Sequence, residues 1–272
     1  MNAPRLTIGV FDSGFGGLTV LRALLPLIPG AHYLYLGDTA RLPYGAKSQT
    51  TIARYAVESA RFLVDHGAQM LVIACNTATA LALPEISAAV PVPVVGVIEP
   101  VVAAASAGRS NTEVLVLATQ ATVQSHAYLA ACTRHNLKAT EKACPLLVPL
   151  VEEGWIDHPV TRDVLRIYLA EALATCTPTA VLLGCTHYPL LAGPIEQMLK
   201  ELNSAATIID SAEATAQAAA TVAKSLAQPH SVTTAPATFA CYATDSVEKF
   251  ARLGSHFLGQ PIPQVHAIDL GG

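Results

Sequence analysis

Charge is scarce in this sequence. Only 13% of its 272 residues are Asp, Glu, Lys or Arg, and their formal balance is −4 at pH 7. No surface is expected to be basic enough for nucleic acid or an acidic membrane, so the expected partner is a small molecule. Long apolar runs are also missing. The longest candidate, residues 90–105, is broken by Pro91, Pro93, Glu99 and Pro100, which excludes a membrane span. The six cysteines include no C-x-x-C pair, so neither a zinc knuckle nor a thioredoxin-type site is indicated. The first residues run straight into a strand-like segment, without a basic stretch followed by a long apolar one. The expected compartment is therefore the cytoplasm, with reduced thiols. Asp12-Ser-Gly-Phe-Gly-Gly17 lacks the Gly-Lys-Ser/Thr of a P-loop and does not fit G-x-G-x-x-G, so no nucleotide cofactor is indicated.

Apolar residues, by contrast, make up 52% of the chain. A chain of this length buries roughly three quarters of its unfolded surface and forms one large domain or two small ones. Short β-branched runs at 6–11, 33–36, 70–74, 92–98, 114–118, 180–183 and 207–209 predict strands. Amphipathic stretches at 50–66, 160–174 and 189–202 predict helices between them. Their alternation predicts βαβ units, and continuous hydrophobicity within the runs predicts parallel sheets covered on both faces. Residues 203–206 and 228–236 read as loops, and 238–268 as strand, helix, strand. The prolines after Val90 place a crossover near Ile98. A first α/β domain is expected over 1–98 and 208–272, and a second over 99–207.

One peptide recurs. Met70-Leu-Val-Ile-Ala-Cys75-Asn76-Thr77-Ala78 is echoed about 110 positions later by Ala180-Val-Leu-Leu-Gly-Cys185-Thr186-His187-Tyr188. Each is an apolar strand, a small residue, a cysteine and then hydroxyl-bearing residues before a helix-like segment. A strand ending in Asp12-Ser13 precedes the first copy, and one ending in Thr119 precedes the second. The chain thus reads as two weakly related halves. In parallel sheets functional residues gather at the carboxyl ends of strands. A thiol there, at a helix start, is expected to have its pKa lowered by the dipole. Two such thiols suit nucleophilic or redox catalysis. They equally suit removal of a proton from one face of a carbon and delivery to the other. Two buried structural cysteines are the plainer alternative.

The supporting residues are open to similar pairs of readings. The glycines after Asp12 either bring backbone amides to an anion, carboxylate or phosphate, or simply make a tight strand-to-helix turn. Pro43-Tyr44-Gly45 is either a turn that presents an aromatic hydroxyl or simply a turn. Thr77 and Thr186 are helix caps or ligand contacts. His187, two positions beyond Cys185, is placed to exchange protons with it. Glu152 lies in an otherwise apolar stretch, and acidic pairs such as Glu152-Glu153 are commonly solvated surface.

Taken together, these motifs resemble the glutamate racemases over nearly the whole chain. The resemblance rests on Asp12–Gly17, Pro43-Tyr44-Gly45, Ala74–Ala78, Gly96-Val-Ile-Glu-Pro100, Thr119 with Thr122, Val151–Gly154 and Gly184–Pro189. Thr244, Lys249-Phe250 and Phe257-Leu-Gly259 add to it. It implies two flavodoxin-like parallel-sheet domains related by pseudo-two-fold symmetry, with the active site in the cleft between them. It implies interconversion of L- and D-glutamate without cofactor or metal, supplying D-glutamate for peptidoglycan, by a protein that forms homodimers. By resemblance, Cys75 and Cys185 are the catalytic pair. Asp12 and Glu152 assist on the Cys75 side and His187 on the Cys185 side. Asp12, Ser13, Tyr44, Gly45, Asn76, Thr77, Thr119, Thr186 and His187 are the implied substrate contacts. Ala118 departs from the family pattern, which has Gly before this threonine. Related racemases act on aspartate, and some family members also inhibit DNA gyrase. The residues after Cys185-Thr186 favour glutamate.

Overall fold

The structure is a computed structural model that describes residues 5–108, 112–226 and 235–271. Strands run in chain order as β1 (Thr7–Asp12), β2 (His32–Gly37), β3 (Met70–Ile73), β4 (Val94–Gly96), β5 (Glu113–Ala118), β6 (Lys138–Ala143), β7 (Ala180–Gly184), β8 (Thr207–Asp210), β9 (Thr238–Ala243) and β10 (Val265–Ala267). The helices are α1 (Leu18–Leu24), α2 (Gln49–Asp65), α3 (Asn76–Ala89), α4 (Ile98–Ser106), α5 (Gln120–Ser125), α6 (Ala127–Arg134), α7 (Leu147–Glu152), α8 (Pro159–Leu173), α9 (Ala192–Glu201), α10 (Ser211–Leu226) and α11 (Val247–Leu258).

The chain divides into two units. One ends at Val97 and resumes at Ala212; the other is Ile98–Ser211. The first holds a sheet of order β10-β9-β2-β1-β3-β4, and every pairing in it is parallel. The second holds a parallel sheet of order β6-β5-β7-β8. Helices crossing over from strand to strand cover the sheet faces, which is why the central strands are apolar throughout. All four residues of β3 and all five of β7 are buried. In the first unit Phe11, Leu36, Leu71 and Ile73 pack with Ile52, Ala56, Ala60 and Leu63 of α2. In the second, Val114–Ala118 and Ala180–Leu183 are buried together with Leu165, Leu169, Ile195 and Met198.

The alternating pattern predicted most of these elements, with three differences. The run expected as a strand over 92–98 forms only the short β4, and Ile98 already opens α4. Strand β6 has the sequence KATEKA and only partial burial. It is the edge of its sheet, where charge discourages pairing with another chain, so no apolar run announces it. The stretch expected as one helix from 189 begins as a 3-10 turn at Tyr188–Leu191, and α9 starts at Ala192. The predicted loop at 203–206 has no regular structure beyond a turn, whereas most of the one at 228–236 lies outside the described residues. Among the described residues no helix is long and apolar enough to cross a membrane.

Candidate active site

In the first unit four neighbouring strands deliver polar residues from their carboxyl ends. Asp12 closes β1, Asp38 follows β2, Cys75 follows β3 by two residues and Thr244 follows β9. Parallel alignment brings these positions to one edge of the sheet. Cys75 is extended in backbone and caps α3, its Sγ accepting the Ala78 N–H at 3.4 Å. Its thiol donates to Ser13 Oγ at 3.4 Å. The side chain is 5% exposed. Burial, and next the charge of Asp12, push the thiol up to about 11; the bonds with Ser13 and Ala78 pull it down without prevailing. The expectation of a lowered pKa is therefore corrected at Cys75. The helix-start amide does stabilise the thiolate, but desolvation outweighs it.

Asp12 is buried, and its Oδ2 accepts the Gly14 N–H at 2.9 Å. The turn thus holds an anion supplied by the chain itself. Gly17 is required by packing. A Cβ there would lie 2.6 Å from Cβ of Asp12 and 2.8 Å from Cβ of Ala74. Asn76 and Thr77 are buried in the first turn of α3. Gly45 lies in the 3-10 turn Tyr44–Ala46. Tyr44 does not present its hydroxyl outward. It is 1% exposed, and its O–H donates inward to Oδ2 of Asp38 at 2.6 Å. Burial and then the Asp38 charge push this phenol well up, so it remains a donor.

In the second unit Cys185 follows β7 and is buried. Nδ1 of His187 lies 4.0 Å from its Sγ and 3.4 Å from Oγ1 of Thr186. The far side of the imidazole, Nε2, lies 3.4 Å from Oε1 of Glu152, the last residue of α7. Glu152 belongs to the second unit, where His187 is its neighbour. Thr119 caps α5, with Oγ1 2.9 Å from Oγ1 of Thr122. The Ala118 methyl is accommodated because Ala118 pairs with Gly184 across the sheet; a Cβ on Gly184 would stand 3.1 Å from that of Ala118.

Sequence reasoning missed Asp38 and Arg41. Asp38 is fully buried and accepts from Arg41 Nε at 2.7 and 3.0 Å, from Tyr44, and from Thr244 Oγ1 at 2.9 Å. The signal that finds it is the one that found Asp12: an acidic residue at the end of an apolar run. Among the described residues no group of three or more His, Cys, Asp or Glu side chains is placed to hold a metal.

Two parallel-sheet units, each with a buried cysteine after the carboxyl end of a strand, match the architecture of the α/β amino-acid racemases, and the family match shows that class. The model of the Asp/Glu/Hydantoin racemase family matches residues 9–219, and the chain belongs to that family. Within it, full-length relatives are glutamate racemases. That of Koribacter versatilis is 50% identical over 297 residues, covering 100% of both chains. That of Syntrophus aciditrophicus is 43% identical, covering 99% of each. Among solved structures, glutamate racemase from Thermus thermophilus in complex with β-chloro-D-alanine superposes with a TM-score of 0.85 at 42% identity, covering 99% of each chain. The enzyme from Francisella tularensis in complex with D-glutamate gives 0.88 at 32% identity, covering 98% of each.

Proposed function

We propose that this protein interconverts L- and D-glutamate by a two-thiol acid/base mechanism. The observation that carries the reading is the matched placement of Cys75 and Cys185. Each follows a buried parallel strand and each has a proton-exchanging or hydrogen-bonding neighbour, Ser13 for one and His187 for the other. One cysteine, as thiolate, takes the α-proton from one face of the carbon and becomes a thiol. The other, as thiol, delivers its proton to the opposite face and becomes a thiolate. The reverse reaction exchanges the roles. Burial, and next the charge of Asp12, favour the protonated form of the Cys75 thiol, pushed up to about 11. A substrate ammonium beside Asp12 would offset the electrostatic part of that push, which is smaller than the part due to burial.

The α-hydrogen of an amino acid is a weak acid, so the carbanion needs electrostatic support. Hydroxyls and amides at the starts of α3 and of the Tyr188–Leu191 turn suit that task. Thr119, Asn76, Thr77, Thr186 and the Tyr44-Gly45 turn are the proposed substrate contacts, with Glu152 and His187 acting as one unit beside Cys185. In the cell, this reading makes the protein a cytoplasmic source of D-glutamate for peptidoglycan.

The deciding experiment is racemisation of each glutamate enantiomer in D₂O without added cofactor, with aspartate in parallel. Deuterium at Cα of the product enantiomer is the expected result. Turnover of aspartate but not glutamate would overturn the substrate assignment.

A further inference from the structure

Asp38 joins three segments of the first unit at the edge of the sheet that carries Cys75. Its backbone N–H donates to the carbonyl of Asp12 at 3.1 Å. Its carboxylate accepts from the Tyr44 hydroxyl at 2.6 Å, which ties down the Tyr44-Gly45 turn, and from Thr244 beyond β9 at 2.9 Å. Arg41, itself held by Glu58 at 2.5 Å and lying over the Tyr55 ring, spends its Nε on both oxygens. Burial works against the Arg41 charge, but Asp38 and Glu58 override it and raise its pKa. A fully buried carboxylate with this many donors is costly to keep unless its geometry matters, because each donor left unpaired would cost more than the bond it makes.

Tyr44 has one hydroxyl proton, and it points at Asp38. The side chain therefore serves the turn rather than reaching outward. We propose that Asp38 is a positioning residue for the reaction: it fixes the Tyr44-Gly45 turn and the Thr244 turn against the end of β1, so that the turn meets the substrate bound at Cys75. This inference rests on the racemase reading for its substrate, but the geometry it describes does not.

The test combines Asp38→Asn, Tyr44→Phe and the double variant. Asn keeps the shape of Asp38 and one acceptor while losing the charge. Asp38→Asn is expected to raise KM for glutamate about tenfold or more, with a smaller change in kcat. Tyr44→Phe should raise KM in the same direction. The double variant should be no worse than the poorer single one, because both remove the same link. Hydrogen exchange of intact wild-type and variant proteins should show faster exchange at 44–47 and 244–246 in Asp38→Asn. A purely structural role predicts lower thermal stability with KM unchanged, and that result overturns the proposal. So do additive effects in the double variant, or unchanged exchange at both turns. If Asp38→Asn fails to fold, Tyr44→Phe decides by the same KM and exchange readouts. Failure of the wild-type protein to racemise glutamate would remove the substrate assignment, while the exchange readout still decides whether Asp38 holds the turns.

Discussion

Oε1 of Glu152 lies 3.4 Å from Nε2 of His187, whose other ring nitrogen faces the Cys185 sulfur at 4.0 Å. A carboxylate behind an imidazole orients the ring, which helps proton exchange with the thiol in front. Glu152→Gln keeps the shape and removes the charge. It is expected to lower kcat/KM about 10- to 100-fold. Because the equilibrium constant between enantiomers is one, the loss must be equal for D- and L-glutamate. A loss seen in one direction only, in careful progress curves, would point to an assay artefact; no loss at all would remove Glu152 from the mechanism.

Either thiol should be indispensable. Cys75→Ser and Cys185→Ser are expected to abolish racemisation with the circular dichroism spectrum unchanged. Serine is the better probe at 75, because its hydroxyl still caps α3, whereas Cys75→Ala also removes the acceptor of the Ala78 N–H and costs up to about 1 kcal/mol. A serine variant at either position with near-normal turnover would break the two-thiol mechanism.

The Cys75 thiol, pushed up to about 11 by burial and Asp12, should react slowly with iodoacetamide at neutral pH. Its modification rate, followed by mass spectrometry, should climb roughly tenfold per pH unit and level off near that value. An early plateau near pH 7 would mean that the thiolate already dominates without substrate.

Stability should fall at alkaline pH. Burial pushes Cys132 up to about 11 and both Cys144 and Cys241 up to about 12. Above the ordinary thiol value of 9.0 the unfolded chain releases these protons first, so the folded state binds more of them and loses stability as pH rises. The contribution is complete below about pH 9 and gone by the folded values. Urea unfolding at pH 8 and pH 10.5 should show the decline, and Cys241→Ala should make it shallower.

Gly17→Ala should damage the site more than the fold. The added methyl meets Asp12 and Ala74 at under 3 Å, so Asp12 must move. Overpacking of this kind costs about 1–3 kcal/mol, which a two-sheet chain survives. Soluble protein with severely reduced racemisation is the expected outcome; full activity would show that the Asp12 position is not critical.

Much of the site was legible from sequence because parallel-sheet proteins put function at strand ends, and strand ends are readable. Cys75, Cys185, Asp12 and Thr119 each terminate an apolar run. Asp38 terminates one too, but a single acidic residue before a turn looks like solvated surface until Tyr44, Arg41 and Thr244 are seen around it. Strand β6 escaped notice because an edge strand needs no apolar alternation. Glu152 was visible as a residue but not as a partner of His187, since about 35 positions separate the two in the chain.

The sequence alone determined the α/β class, the repeated cysteine peptides and the racemase family, because hydrophobic period and local motif are properties of neighbouring residues. Tertiary structure alone decided that burial and Asp12 push the Cys75 thiol up, that Tyr44 points inward and that Glu152 lies behind His187. Each depends on desolvation or on contacts between segments far apart in the chain, and neither is encoded in any single window of sequence.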